Sequence, residues 1–144
     1  MEFKDKIPFK TEIYPLYTES GWNERLRLNP DELDKAIHNS FAVVSVYEAG
    51  ELIGFGRVVS DGVAYATIYD VMVMPRWQGQ GIGSNLLEKC LSIAEKQGFE
   101  SVHGIVLHEN RNMLALGKKL GFEIKRDPDS GDNKLVIHLG GNRP

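Results

Sequence analysis

Tyr69-Asp70-Val71-Met72-Val73-Met74-Pro75-Arg76-Trp77-Gln78-Gly79-Gln80-Gly81-Ile82-Gly83 runs from a strand through a glycine-rich turn into a helix. After Gly83 the apolar residues Leu86, Leu87, Cys90, Leu91 and Ala94 recur at helical spacing, and Gly98 stops the run. Glycines let the backbone curl close to a ligand, because no Cβ blocks the approach. The first N–H groups of a helix have no internal partner, and with the dipole they form an anion site that needs no lysine. A pyrophosphate is the natural guest. A P-loop would end in Gly-Lys-Ser/Thr, and Gly83-Ser84-Asn85 lacks the lysine. A Rossmann fingerprint needs Gly-x-Gly-x-x-Gly, and here the third glycine, Gly83, comes too soon after Gly81. A glycine turn with no ligand is the plainer reading of such a loop taken alone.

Around this segment the chain reads as alternating elements. Thr11 caps a short helix through Ser20, with Pro15 in about its first turn, and Gly21 stops it. Asn29-Pro30-Asp31-Glu32 is a stronger start: a cap, a proline at the first helical position and acids on the positive end of the dipole, for a helix to about His38. Residues 41–47 and 52–59 are rich in valine and aromatics and form a hairpin around the turn at 48–51. Residues 63–74 follow as a long third strand ended by Pro75. Beyond the loop helix come a strand at 101–107, a helix at 110–120 stopped by Gly121, and a closing hairpin from 122–126 and 134–139. The order is ααβββαβαββ, with room for a short strand before the first helix. Strands joined by a helix run parallel and those joined by turns antiparallel, so the sheet is mixed and the class is α/β.

The chain has 144 residues, enough for one domain with a core of its own over about residues 11–139 and a tail at 140–144 expected to fray. Seventeen Lys and Arg against twenty Asp and Glu give a net charge of −3, which argues against a nucleic-acid binder. No run approaches a membrane span and residues 1–6 have no apolar leader core, so a cytoplasmic protein with no membrane partner is the expectation. One cysteine, Cys90, allows no internal disulfide, and the histidines lack metal-ligand spacing, so no metal is expected. Cys90 lies on the apolar face of the loop helix and reads as a small buried hydrophobe.

Gln78-x-x-Gly81-x-Gly83, directly after a Val-x-x-Pro strand end, resembles the acetyl-CoA signature of the GCN5-related N-acetyltransferases, the GNAT family. Asn110, Ala115 and Lys119-Leu120-Gly121-Phe122 are similar to that family's next segment, and the element order fits as well. The resemblance implies the GNAT acyl-CoA N-acyltransferase fold. It also implies acetyl-CoA as acyl donor and transfer to a primary amine of a small molecule or peptide by direct attack in a ternary complex. The strand before the loop would splay from the next parallel strand, so that backbone groups of Met72, Val73 and Met74 pair with the pantetheine arm. The amides of Gln78, Gly79, Gln80, Gly81, Ile82, Gly83 and Ser84 would hold the pyrophosphate, and Asn110 would touch the cofactor from the second strand.

Acyl transfer to an amine needs a proton acceptor, because an alkylamine is mostly protonated near pH 7. It also needs a donor for the thioester oxygen, and the Val73 N–H at the splay is the candidate. Asp70 and Tyr69 are the candidate catalytic residues, set on opposite faces by strand alternation, with Val71 and Val73 beside Tyr69 and Met72 and Met74 beside Asp70. A carboxylate inside an apolar strand is costly unless paired or wetted, so Asp70 is either the proton acceptor or a structural aspartate bonded to a neighbouring loop. Tyr69 is either a packed aromatic or a hydroxyl that orders a water or touches the acceptor. His108, at a strand end, is a base candidate or a surface histidine. Trp22, Asn23, Arg25 and Arg27 fall between the two early helices, the acceptor side in the resembling family. Trp77, just before the glycines, is exposed or stacks on the cofactor. One departure stands out: the family often carries a tyrosine two residues before the lysine of Lys-x-Gly-Phe, thought to protonate the leaving thiolate, and here that position is Gly117. An acyl-CoA-binding module with little or no transfer is therefore the alternative, and a nucleotide-binding protein using the same loop is a third reading. A homodimer is left open, with the closing hairpin as a place for two copies to meet.

Overall fold

The computed structural model describes residues 1–106, 111–126, 128–129 and 133–138. The elements are β1 (Glu2–Lys4), α1 (Lys10–Glu19), α2 (Trp22–Leu26), α3 (Pro30–His38), β2 (Ala42–Glu48), β3 (Glu51–Ser60), β4 (Tyr65–Val73), α4 (Ile82–Lys96), β5 (Ser101–Val106), α5 (Arg111–Lys119), β6 (Glu123–Arg126) and β7 (Asn133–His138). A 3-10 turn, Pro75–Trp77, joins β4 to the glycine loop. The strands form one sheet in the order β1-β2-β3-β4-β5-β7-β6. Only β4 and β5 pair in parallel among the described strands, and α4 is the crossover between them.

The sheet is covered on both faces. On one, Ile13, Leu16 and Tyr17 of α1 and Leu33 and Ile37 of α3 pack against Val43, Tyr47, Leu52, Phe55, Met72 and Met74. On the other, α4 lays Ile82, Leu86, Leu87, Cys90, Leu91 and Ala94 against Val44, Val46, Ile53, Val58, Ala66 and Ile68. The placement of α4 depends on two glycines in β3. A Cβ on Gly54 would sit 3.2 Å from Leu86 Cδ1 and 3.3 Å from Ile82 Cγ2, and one on Gly56 would sit 3.3 Å from Cys90 Sγ. Their bare Cα atoms let the first half of the helix settle directly on the strand. That close seat sets where the helix begins, next to the end of β4.

The local signals hold in several places. Asn29 caps α3 as its sequence predicts: its side chain accepts from the Glu32 N–H at 2.8 Å, and the Glu32 carboxylate accepts from the Asn29 N–H at 3.0 Å. Elsewhere the structure differs. Phe9, not Thr11, stands before α1, whose Glu12 side chain accepts from the Phe9 N–H at 2.9 Å. Pro15 is therefore interior to the helix, where it removes a backbone bond. The burial of Ile13, Leu16 and Tyr17 against the sheet offsets that loss. Residues 22–26 are not a connection but the short helix α2, while β1 is the short strand for which the sequence left room before the first helix. β4 starts at Tyr65 rather than Val63, because Asp61 Oδ1 accepts from the N–H groups of Val63, Ala64 and Tyr65 and holds the turn. β6 starts at Glu123, since the Phe122 N–H is still tied to Gly117 O at 2.9 Å. The expected tail at 140–144 lies outside the described residues.

Asn29→Ala removes the cap of α3. Denaturant unfolding of this variant is expected to show a loss of about 1 kcal/mol with an unchanged m-value.

Candidate active site at the end of the fourth strand

The site is built on an irregularity of β4. Phe55 pairs with Met72 and Arg57 with Tyr69, so Gly56 alone opposes both Asp70 and Val71. That is a β-bulge, and Asp70 takes it up with φ of +58°. Aspartate is among the few non-glycine residues that adopt this conformation at tolerable cost. The extra residue shifts the side-chain alternation by one. Ala66, Ile68 and Val73 lie in the α4-side core with Val71 packed against it, while Met72 and Met74 lie on the α1 side.

This corrects an expectation from simple alternation. Tyr69 and Asp70 do not face opposite ways: both meet Arg57. The Arg57 Nε donates to Asp70 Oδ2 at 2.6 Å, and its guanidinium carbon lies 5.5 Å from the centre of the Tyr69 ring. Val71 and Val73 accordingly do not share a face with Tyr69. Met72 and Met74 do share one with Asp70.

Asp70 is 3% exposed. Its Oδ2 also accepts from the Tyr17 hydroxyl at 2.5 Å, and no described residue donates to Oδ1. Arg57 Nη1 donates onward to Ala36 O at 3.2 Å and to Ser40 Oγ at 3.4 Å. Ala36 lies in the last turn of α3, whose carbonyls lack helical partners and favour a cation. Burial, then the Asp70 charge and hydrogen bond, push the Tyr17 phenol well above its ordinary value. Burial pulls the Arg57 guanidinium down, but Asp70 and Tyr17 together outweigh it and raise the group. The cluster is thus a buried carboxylate held by a guanidinium and by a phenol whose proton burial and Asp70 retain. Tyr17 and Arg57 carried no recognisable motif in the sequence. The one available signal was Arg57 itself, a cation among the apolar residues of a strand hairpin-linked to the strand that holds a lone carboxylate.

Just below the bulge the sheet opens. The β4–β5 ladder ends at Ile68 and Gly104, although β4 runs on to Val73 and β5 to Val106. Met72 pairs with Phe55 and the Met74 N–H bonds to Ile53 O at 2.8 Å, so the backbone groups of both methionines turn towards β3. Alternation turns those of Val73 the other way, into the gap. There the Val73 carbonyl accepts from Gln78 Nε2 at 3.0 Å, which fastens the start of the loop to the strand end.

Gly79 has φ of +82° and Gly81 the same value, and a Cβ at either would meet nothing within 4 Å. The backbone requires glycine there, and the open space leaves room for a ligand. Gly81 precedes α4 with no side-chain cap and no acid in the first turn. The N–H groups of Ile82, Gly83 and Ser84 precede the first helical bond, Asn85 N to Gly81 O at 3.1 Å. Gln80 is exposed beside them. These groups fit a pyrophosphate: an unsatisfied, acid-free helix terminus within reach of a gap that offers one residue's N–H and C=O.

The remaining candidates divide. Asn110 and His108 lie outside the described residues. Trp77 is partly buried and packs against both cores, with its Nε1 enclosed and unpartnered among the described residues. Trp22 packs on the α1-side core, Asn23 ties its amide to both backbone groups of Leu28, and Arg27 ends α2. Cys90 is fully buried, and burial pushes its thiol up to about 12, which makes it inert. Gly117 faces inward: a Cβ there would lie 2.8 Å from Leu135 Cδ1, so a larger residue would need the Leu135 side chain to shift.

The sequence profile of the acetyltransferase (GNAT) family matches residues 9–122. Among curated relatives, "Uncharacterized N-acetyltransferase ycf52" of Gracilaria tenuistipitata var. liui is 39% identical over 98 residues, covering 65% of this chain and 51% of its own. "Histone acetyltransferase TAP1" of Glycine max is 31% identical over 129 residues, covering 82% and 52%. The chain spans about half the length of these relatives. Among known structures, the PaiA N-acetyltransferase of Thermoplasma acidophilum in complex with coenzyme A superposes with a TM-score of 0.76 over 96% of this chain and 99% of its own. At 17% identity that likeness is one of fold.

Two outcomes follow from this geometry. Of the five tyrosines, Tyr17 is expected to stay neutral far into alkali, and Tyr47, raised to about 12 by burial and Glu12, to follow it. A raised phenol stabilises the fold below its ordinary value and loses that contribution as the pH climbs through the raised one. Phenolate absorbance should therefore rise late for these two rings in the native protein and together with the rest after unfolding. Gly117→Tyr, which restores the family's hydroxyl, is expected to lower stability by about 1–3 kcal/mol and not to raise turnover, as read by melting temperature and initial rates.

Proposed function

The chain belongs to the acetyltransferase (GNAT) family, and from that premise we propose that it transfers an acetyl group from acetyl-CoA to a primary amine of a small molecule or peptide, by direct attack in a ternary complex. The observation that carries this reading is the gap in the β4–β5 ladder with the Val73 backbone turned into it and the bare N-terminus of α4 directly after it. The same-fold Thermoplasma protein solved with coenzyme A supports the donor. The soybean relative's name, a histone acetyltransferase, supports an amine acceptor.

The amides of Gln78, Gly79, Gln80, Gly81, Ile82, Gly83 and Ser84 hold the pyrophosphate, and the gap beside Val73 takes the pantetheine arm, with the Val73 C=O as its acceptor. Acetyl-CoA supplies the acyl group as an activated thioester. The Val73 N–H is the donor for the thioester oxygen as charge gathers there. The amine has to shed a proton, and Asp70 takes it at Oδ1 through a water, because Oδ2 is already held by Arg57 and Tyr17. Tyr69, on the same side, orders that water with its hydroxyl. With glycine at 117, solvent protonates the departing thiolate.

Titration with acetyl-CoA, with free CoA and ATP as controls, tests the first half of the reading. CoA species should raise the melting temperature and ATP should not. An amine panel tests the second half. Asp70→Asn, a residue that also tolerates the left-handed conformation, should lower kcat about 100-fold or more, and Tyr69→Phe about tenfold. Binding without transfer to any amine would favour an acyl-CoA-binding module. The close packing of Gly117, which leaves the usual hydroxyl position empty, is the observation on that side.

A further inference from the structure

We propose that Arg57 and Tyr17 are positioning residues for the cofactor cleft: acting through Asp70, they hold the left-handed bulge of β4 that turns the Val73 backbone into the gap. The inference rests on the acyl-CoA reading of that gap.

The reasoning begins with cost. A non-glycine residue in the left-handed region is disfavoured, and here it sits inside a sheet that would otherwise continue regularly. Such a conformation persists only where its surroundings over-determine it. Asp70 has no freedom left: its carboxylate takes a charge-assisted bond from Arg57 at 2.6 Å and a second bond from Tyr17 at 2.5 Å. Each partner is itself fixed from another direction. Tyr17 is fully buried in α1, and Arg57 is pinned at its far end by Ala36 O and Ser40 Oγ beyond the last turn of α3. Three elements thus converge on one backbone residue. Opposite it stands Gly56, whose missing Cβ leaves room for the bulge: a Cβ there would already sit 3.4 Å from Val71 Cγ2.

The bulge has two consequences at the cleft. It resets the alternation of β4, so that Val71 and Val73 send their side chains to α4. It also lies two residues beyond Ile68, where pairing with β5 stops. A regular β4 would put Asp70 on the α4 face with Ile68, away from Tyr17, and would carry the strand on alongside β5. The ion cluster lies on the α1 face and the loop amides on the α4 side of the strand end, so the cluster touches no group that binds phosphate. Its influence reaches the ligand only through the strand.

That separation sets the test. Calorimetric titrations compare CoA, whose pantetheine arm enters the gap, with adenosine 3′,5′-bisphosphate, which carries no pantetheine arm to enter it. Tyr17→Phe and Arg57→Lys are expected to weaken CoA about tenfold and to leave the bisphosphate within about twofold. Asp70→Gly, free to take the left-handed conformation, is expected to bind CoA more tightly than Asp70→Ala, which is not. A cluster that merely stabilises the core would instead lower the melting temperature of all these variants and affect both ligands alike, and that result overturns the proposal. So does wild-type CoA affinity in Tyr17→Phe and Arg57→Lys. If the wild-type chain binds neither ligand, the acyl-CoA reading fails and this inference with it, a result distinct from variants that bind both ligands as wild type does.

Discussion

A carboxylate at a left-handed residue in the middle of a buried strand is the constraint on which the rest of this structure depends. Asp70 cannot be desolvated alone, because an unpaired buried charge costs several kcal/mol. It therefore requires Arg57 across the hairpin and Tyr17 from the helix above. Meeting that requirement fixes where α1 lies on the sheet, keeps α3 within reach of the guanidinium, and places the extra residue of β4 opposite Gly56. The departure from regular pairing at the centre of the sheet is over-determined, and the cleft opens beside it.

The cleft and the anion site come from different physics and meet because of packing. The gap is a failure of pairing between two parallel strands. The anion site is a helix terminus without a cap, preceded by glycines whose positive φ angles aim the chain. What joins them is the close seat of α4 on Gly54 and Gly56, which brings the helix start next to the end of β4. Gln78 completes the join by donating to the Val73 carbonyl. A ligand with a diphosphate at one end and amides along its arm matches both halves at once.

The same packing explains the main departure from the family's pattern. Gly117 is not a residue lost from an otherwise open position. It lies where α5 presses on β7, against a Leu135 that is 1% exposed. Cys90, buried and raised to about 12, offers no replacement nucleophile or acid. On the proposed reading, the chemistry would lean on backbone donors and on the carboxylate held at the bulge, with solvent taking up the thiolate.

The sequence by itself determined the elements whose signals are local. The Asn29 cap with Glu32, the hairpin of β2 and β3, the glycines before α4 and the helical spacing of Leu86 to Ala94 each act through neighbours a few residues away, so they read correctly without knowledge of the fold. The family signature at Gln78, Gly81 and Gly83 is local for the same reason. Tertiary structure decided the rest. The partners of Asp70 lie 53 and 13 residues away, and nothing nearby in the chain marks Tyr17 as one of them. The phase of β4 follows from that long-range pairing, so alternation misjudged the faces of Tyr69 and Val71. The interior Pro15 was tolerated because α1 is held by burial rather than by its own hydrogen bonds. Local propensity can specify that a strand forms. Which way its side chains point past an irregularity is settled by the distant charges that must be satisfied there.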